Sequence, residues 1–118
     1  MKTAILCGGY GTRIRDVADN IPKPMIPIGG LPILWHIMKT YSMYNYKEFV
    51  LCLGYKSNVI KDFFLNYGAS TRDFSLHLGK ESSIEYHTDF EESDWTVTLA
   101  ETGQGTYTGG RVNRIKKY

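Results

Sequence analysis

The chain has 118 residues, 42% of them hydrophobic, with 14 basic and 12 acidic side chains and a net charge of +2. That length suits one domain with a modest core, and the near-balanced charge gives no argument for a nucleic-acid or membrane partner. Its two cysteines, Cys7 and Cys52, sit in apolar runs and make neither a disulfide framework nor a metal knuckle. No signal peptide and no membrane-length apolar run is visible, so the expected compartment is the cytoplasm.

Thr3 to Cys7 reads as a short buried strand. It empties into Gly8-Gly9-Tyr10-Gly11-Thr12-Arg13, three glycines in four positions followed by a guanidinium. Glycine leaves backbone N–H groups uncovered, so that consecutive amides turn toward one anion, and arginine adds a forked donor set suited to phosphate oxygens. Ten residues on, Pro22-Lys23-Pro24 holds a second cation in a stiffened segment. Two common phosphate loops are excluded. Ile14 stands where the dinucleotide fingerprint needs its third glycine, and no Gly-x-x-x-x-Gly-Lys-Ser/Thr occurs. A Gly-rich strand-to-helix turn without function explains the glycines alone, but not the two cations beside them.

Pro32 is expected to open a helix at its first turn, with Ile33, Leu34, Ile37, Met38 and Tyr41 on one face. Phe49 to Leu53 is a second continuous apolar strand, stopped by Gly54. Ser57 is a candidate cap for a second helix with Val59, Ile60, Phe63, Phe64 and Tyr67 at helical spacing. This alternation predicts a parallel sheet with helices packed on its faces. The period then changes to two. Phe74, Leu76 and Leu78, then Ile84 and Tyr86, then Trp95, Val97 and Leu99 predict a half-exposed antiparallel hairpin set inserted after the second helix. A Gly/Thr-rich loop from Thr102 to Gly110 follows, and Thr108 is placed to cap a last helix carrying Arg111, Val112 and Ile115.

Other features have plainer readings. His36, His77 and His87 lack partners at metal-ligand spacing, and Ser42 and Ser57 lack a His/Asp arrangement. The acidic run Asp89, Glu91, Glu92 and Asp94 reads as a solvated hairpin tip rather than a cation site. The tyrosines and phenylalanines fall at helical and strand periods, as packing residues do.

Leu6-Cys7-Gly8-Gly9-Tyr10-Gly11-Thr12-Arg13 followed by Pro22-Lys23-Pro24-Met25 resembles the signature of the sugar-phosphate nucleotidyltransferases. The likeness continues through Ile28-Gly29-Gly30, Pro32 to Lys39, Tyr41-Ser42, Leu53-Gly54-Tyr55-Lys56, Val59-Ile60-Lys61 and Thr108-Gly109-Gly110-Arg111. The later blocks resemble the glucose-1-phosphate cytidylyltransferase branch. The resemblance implies a Rossmann-like α/β parallel sheet of the glycosyltransferase-A-like type with an inserted hairpin, residues 1–118 forming the N-terminal nucleotide-binding part of one domain.

It also implies a reaction, the transfer of a cytidylyl group from CTP to glucose-1-phosphate. Arg13 and Lys23 would be the catalytic cations. Leu6, Cys7, Gly8, Gly9, Tyr10, Gly11, Thr12, Arg13, Lys23, Thr106 and Arg111 would bind the nucleotide. Magnesium (Mg2+) is the implied cofactor, its aspartates expected beyond Tyr118, and a homo-oligomer is the expected assembly. Three departures stand out: Ile21 where the family usually has a lysine, Cys7 for alanine, and Tyr10 for an aliphatic residue. A non-catalytic nucleotide or sugar-phosphate binding module, a piece that folds only when paired, and a uridylyl- or thymidylyltransferase remain open alternatives.

Overall fold

The computed structural model describes residues 1–7, 21–89, 91–103 and 115–118. Three parallel strands form the centre: β1 (Lys2–Leu6), β4 (Glu48–Leu53) and β7 (Thr96–Glu101), in the order β1-β4-β7. The register aligns Leu6 with Cys52 and Leu53 with Glu101, so all three carboxyl ends reach the same edge. Between the first two strands run a 3-10 turn (Lys23–Met25), a two-stranded ribbon of β2 (Pro27–Ile28) and β3 (Leu31–Pro32), and helix α1 (Ile33–Met43). After β4 come α2 (Ser57–Leu65) and a short α3 (Tyr67–Thr71). The antiparallel pair β5 (Phe74–His77) and β6 (Ser83–Tyr86) and a second 3-10 turn (Glu91–Asp94) then lead into β7.

The continuous apolar run Phe49 to Leu53 is the signature of a central parallel strand, and all five of its residues are buried. Phe49, Leu51 and Leu53 pack with Leu34 and Met38 of α1 and Ile60 of α2, together with Cys7 and Met25. Val50 and Cys52 point to the other face, where Ala100 and Ile115 meet them. Cys7 and Cys52 are buried and form no disulfide, as expected of small apolar fillers.

Both helices therefore cover one face of the sheet rather than one face each. The chain steps across the sheet in one direction, β1 to β4 to β7. Two successive crossovers of the same hand and the same direction put their helices on the same side.

Four local expectations are corrected. The strand at Thr96–Glu101 belongs to the parallel sheet, paired with β4, and not to an antiparallel hairpin set. It alternates because Trp95, Val97 and Leu99 face the helix-covered core while Thr96 and Thr98 face the other side of the sheet. Of the predicted α1 stripe, Leu34 and Met38 are buried, whereas Ile37 and Tyr41 stay about two-fifths exposed. Pro32 precedes that helix with an extended backbone (φ −63°, ψ 152°), and Lys56 rather than Ser57 holds the cap position of α2. The hairpin prediction holds for β5 and β6, where Phe74 faces Tyr86 and Leu76 faces Ile84. The helix predicted from Thr108 lies outside the described residues.

Candidate functional site

In a parallel sheet the carboxyl edge is where ligands gather, because strand ends and helix starts converge there. Leu6 closes β1, and Cys7 continues the ladder by donating its N–H to Cys52 O at 2.9 Å. Leu6 is half exposed while Cys7 is buried, so Cys7 anchors the end of this strand in the core. Gly8, Gly9, Tyr10, Gly11, Thr12 and Arg13 follow directly and lie outside the described residues, as do Thr106 and Arg111.

Lys23 is described, and its setting is specific. Pro22 is fully buried, and its carbonyl accepts from Met25 N–H at 2.8 Å; Lys23 O accepts from Ile26 N–H at 3.2 Å. Met25 sinks into the same apolar cluster as Cys7, which ties this turn to the end of β1. Lys23 itself is exposed, and its ammonium has no ion pair among the described residues. A cation held on a rigid, core-anchored turn with its head in water is what an anion site requires.

The ribbon β2–β3 braces that turn from the far side. Gly29 and Gly30 both have positive φ (61° and 86°), the requirement of the tight hairpin that pairs Pro27 with Pro32. Ile33 N–H then bonds Ile26 O at 2.9 Å, and a ring nitrogen of His36 lies 2.7 Å from Ile28 O. His36 thus has a structural task. The Gly-Gly pair between apolar flanks carried the hairpin signal, and only the resemblance had drawn attention to it.

Two further features of this edge were not expected. Lys56 follows Gly54 at the end of β4 with φ 51° and ψ 43°, an uncommon backbone for a residue with a side chain, and its ammonium lies 5.6 Å from the Tyr55 ring centroid. Thr102, at the end of β7, is fully buried. It donates both its N–H (2.9 Å) and its hydroxyl (2.8 Å) to Leu53 O, pinning the start of the Gly/Thr-rich loop.

The described residues do not suit magnesium. No group of three or more His, Cys, Asp or Glu is placed to hold a metal ion among them. The acidic turn is instead engaged by lysines: Glu91 and Glu92 with Lys39 (2.8 and 3.3 Å) and Asp94 with Lys47 (2.7 Å). Hydrogen bonding to those lysines holds the Glu91 and Asp94 carboxyls below their ordinary range, and Lys61 does the same for Glu101. No helix among the described residues is long and apolar enough to cross a membrane.

A parallel α/β sheet whose first strand runs into a glycine-rich sequence, with a lysine on a proline-flanked turn packed at that strand's end, fits a nucleotide-handling protein. The family model for nucleotidyl transferases matches residues 2–96, and the chain belongs to that family. It is 46% identical over its whole length to glucose-1-phosphate cytidylyltransferase of Salmonella typhimurium, of which it covers 45%. Over 64 residues, 54% of the chain and 29% of the relative, it is 44% identical to D-glycero-alpha-D-manno-heptose 1-phosphate guanylyltransferase of Campylobacter jejuni. The crystal structure of HddC from Yersinia pseudotuberculosis complexed with GMP-PN superposes with a TM-score of 0.66 at 25% identity, over 99% of this chain and 42% of that one. The chain thus spans somewhat less than half the length of the cytidylyltransferase and of HddC.

Proposed function

We propose that the chain supplies the nucleotide-binding half of a glucose-1-phosphate cytidylyltransferase. The observation that carries this reading is the 46% identity to a cytidylyltransferase over the full chain, against the shorter match to a guanylyltransferase. An oxygen of the sugar phosphate forms a bond to the α-phosphorus of CTP, the bond to the β-phosphate oxygen breaks, and pyrophosphate leaves. Such transfers depend on positioning and on charge held where it develops. Backbone amides at Gly8, Gly9, Gly11 and Thr12 cradle the triphosphate, with Leu6, Cys7 and Tyr10 shaping the entrance. Arg13 steadies the departing pyrophosphate, and Lys23 is the point charge over the α-phosphate. Thr106 and Arg111 read the base, since cytosine offers one donor and two acceptors to a hydroxyl and a guanidinium. The roles assigned here are those of this chain's own cations and amides; the described residues offer no ligand set for a divalent ion.

A second reading is a module that binds CTP without turnover. One experiment separates the two: pyrophosphate release with glucose-1-phosphate across CTP, UTP, dTTP, ATP and GTP, alongside equilibrium binding of each nucleotide. CTP leading in both assays supports the enzyme. Binding of CTP without release supports the module. A preference for GTP or UTP in both overturns the cytidylyl assignment, and Arg111→Ala with unchanged CTP preference removes the base-reading role.

A further inference from the structure

The sheet has a second edge, and a cavity opens beside it. The pocket, about 280 Å³, is walled by Phe64 from α2, Tyr67 from α3, Tyr86 from β6 and Trp95 just before β7. Trp95 and the acidic turn precede β7, and Phe64 ends a helix that began at the carboxyl edge. The cavity is therefore at the amino edge, across the sheet from Leu6 and Lys23.

Its polar groups stand as a pair. Glu92, with only 11% of its side chain exposed, accepts from the Tyr67 hydroxyl through one oxygen and from Lys39 through the other at 3.3 Å. A carboxylate has about four acceptor positions, so capacity remains toward the cavity. Arg72 lies with its guanidinium 3.9 Å over the Tyr86 ring and donates to Thr88 O at 2.8 Å. The neighbouring charges cancel, Arg72 and Lys39 against Glu91 and Glu92. Trp35 donates its indole N–H to Tyr67 at 2.9 Å, fixing that wall from behind.

A cavity with flat aromatic walls, an acceptor, a donor fork and no net charge suits a flat uncharged ligand. We propose that it is a second small-molecule site, taking one planar ring with an amide-type edge, donor and acceptor side by side, as in a nucleobase or an aryl carboxamide. The ring lies against Trp95 and Phe64, its N–H faces Glu92, and its carbonyl faces Arg72. Benzoate lacks the donor and brings an uncancelled charge; toluene lacks both polar atoms.

The test is a titration followed by nitrogen-15 NMR. The chain has two tryptophans, Trp95 lining the cavity and Trp35 behind its wall, giving two indole signals. Benzamide and cytosine are the probes, with benzoate and toluene as controls. The expected result is a saturable shift of both indole signals by at least one probe, with both controls needing at least tenfold higher concentration; whichever probe binds tighter identifies the source. Arg72→Met is expected to weaken that probe at least fivefold and leave toluene unchanged, while Lys23→Ala changes neither. A second variant, Gly68→Ala, puts a Cβ 2.8 Å from Arg72 Nη2 and 3.0 Å from Tyr86 Oη, and by moving that wall is expected to weaken the probe too. No saturable shift in the unaltered chain overturns the proposal. So do controls that bind as well as the probes, or an effect of Lys23→Ala equal to that of Arg72→Met.

Discussion

The two edges of the parallel sheet use the same residue types to opposite ends. At the amino edge, Lys39, Lys47, Glu91, Glu92 and Asp94 meet in pairs at 2.7–3.3 Å, and Tyr67 and Trp35 extend the network. At the carboxyl edge, Glu101 is matched by Lys61, but Lys23 faces water from a turn locked by Pro22 and Met25. Charge content alone does not separate these edges. What separates them is whether the described residues supply a counter-charge, and a rigid cation that they leave without one suits an anion site. Changes at the carboxyl edge should therefore cost chemistry, and changes at the amino edge should cost stability.

The largest effect is expected at Lys23. Lys23→Ala should remove about 2–4 kcal/mol of transition-state stabilisation, on the scale of a lost oxyanion donor, which is roughly 30- to 1,000-fold in pyrophosphate release. Its exposed side chain leaves the melting temperature almost unchanged. A variant of unaltered turnover, or one that loses stability with its activity, breaks the contrast at its strongest point.

Glu92 tests the other edge. Glu92→Leu strips acceptors from Tyr67 and Lys39 at a largely buried position, and losing hydrogen bonds to a charged group costs about 1.5–3 kcal/mol. Denaturant unfolding should show that loss, with nucleotide binding retained. Thr102→Val sharpens the comparison, because Thr102 is a structural residue at the functional edge. Leu53 O keeps the bond from Thr102 N–H after the hydroxyl is gone, so the expected cost is about 1 kcal/mol by the same unfolding measurement.

The carboxyl edge was far more legible in the sequence than the amino edge. Phe49 to Leu53 announces a buried parallel strand by continuous hydrophobicity; Ala4 to Cys7 announces a strand too, though Ala4 and Leu6 prove exposed where burial was expected, and a Pro-Lys-Pro segment announces a stiff turn wherever it folds. Those signals are local. The acidic run 91–94 looked like a solvated tip because its partners, Lys39 and Lys47, stand some fifty residues away, and no periodicity links a loop carboxylate to a distant lysine. Trp95, Val97 and Leu99 alternated like a hairpin strand because a strand with one face on the core shows that pattern whether its pairing is parallel or antiparallel. The placement of both helices on one face was likewise invisible, since it depends on strand order.

The last effect concerns Tyr67 and is confined to alkaline pH, and its sign follows from the amino edge alone. Burial, reinforced by its hydrogen bond to Glu92, raises the phenol from 10.0 to about 12. The unfolded chain therefore releases this proton two units earlier than the folded one. Below pH 10 both states hold the proton and the group adds no slope. Between about pH 10 and 12 the folded state alone retains it, so stability falls as pH rises through that window. Tyr67→Phe should flatten this part of the curve, and Lys23→Ala should leave it as it was. If the slope survives Tyr67→Phe, the alkaline sensitivity lies elsewhere, and the paired network is not the stabilising half of the molecule.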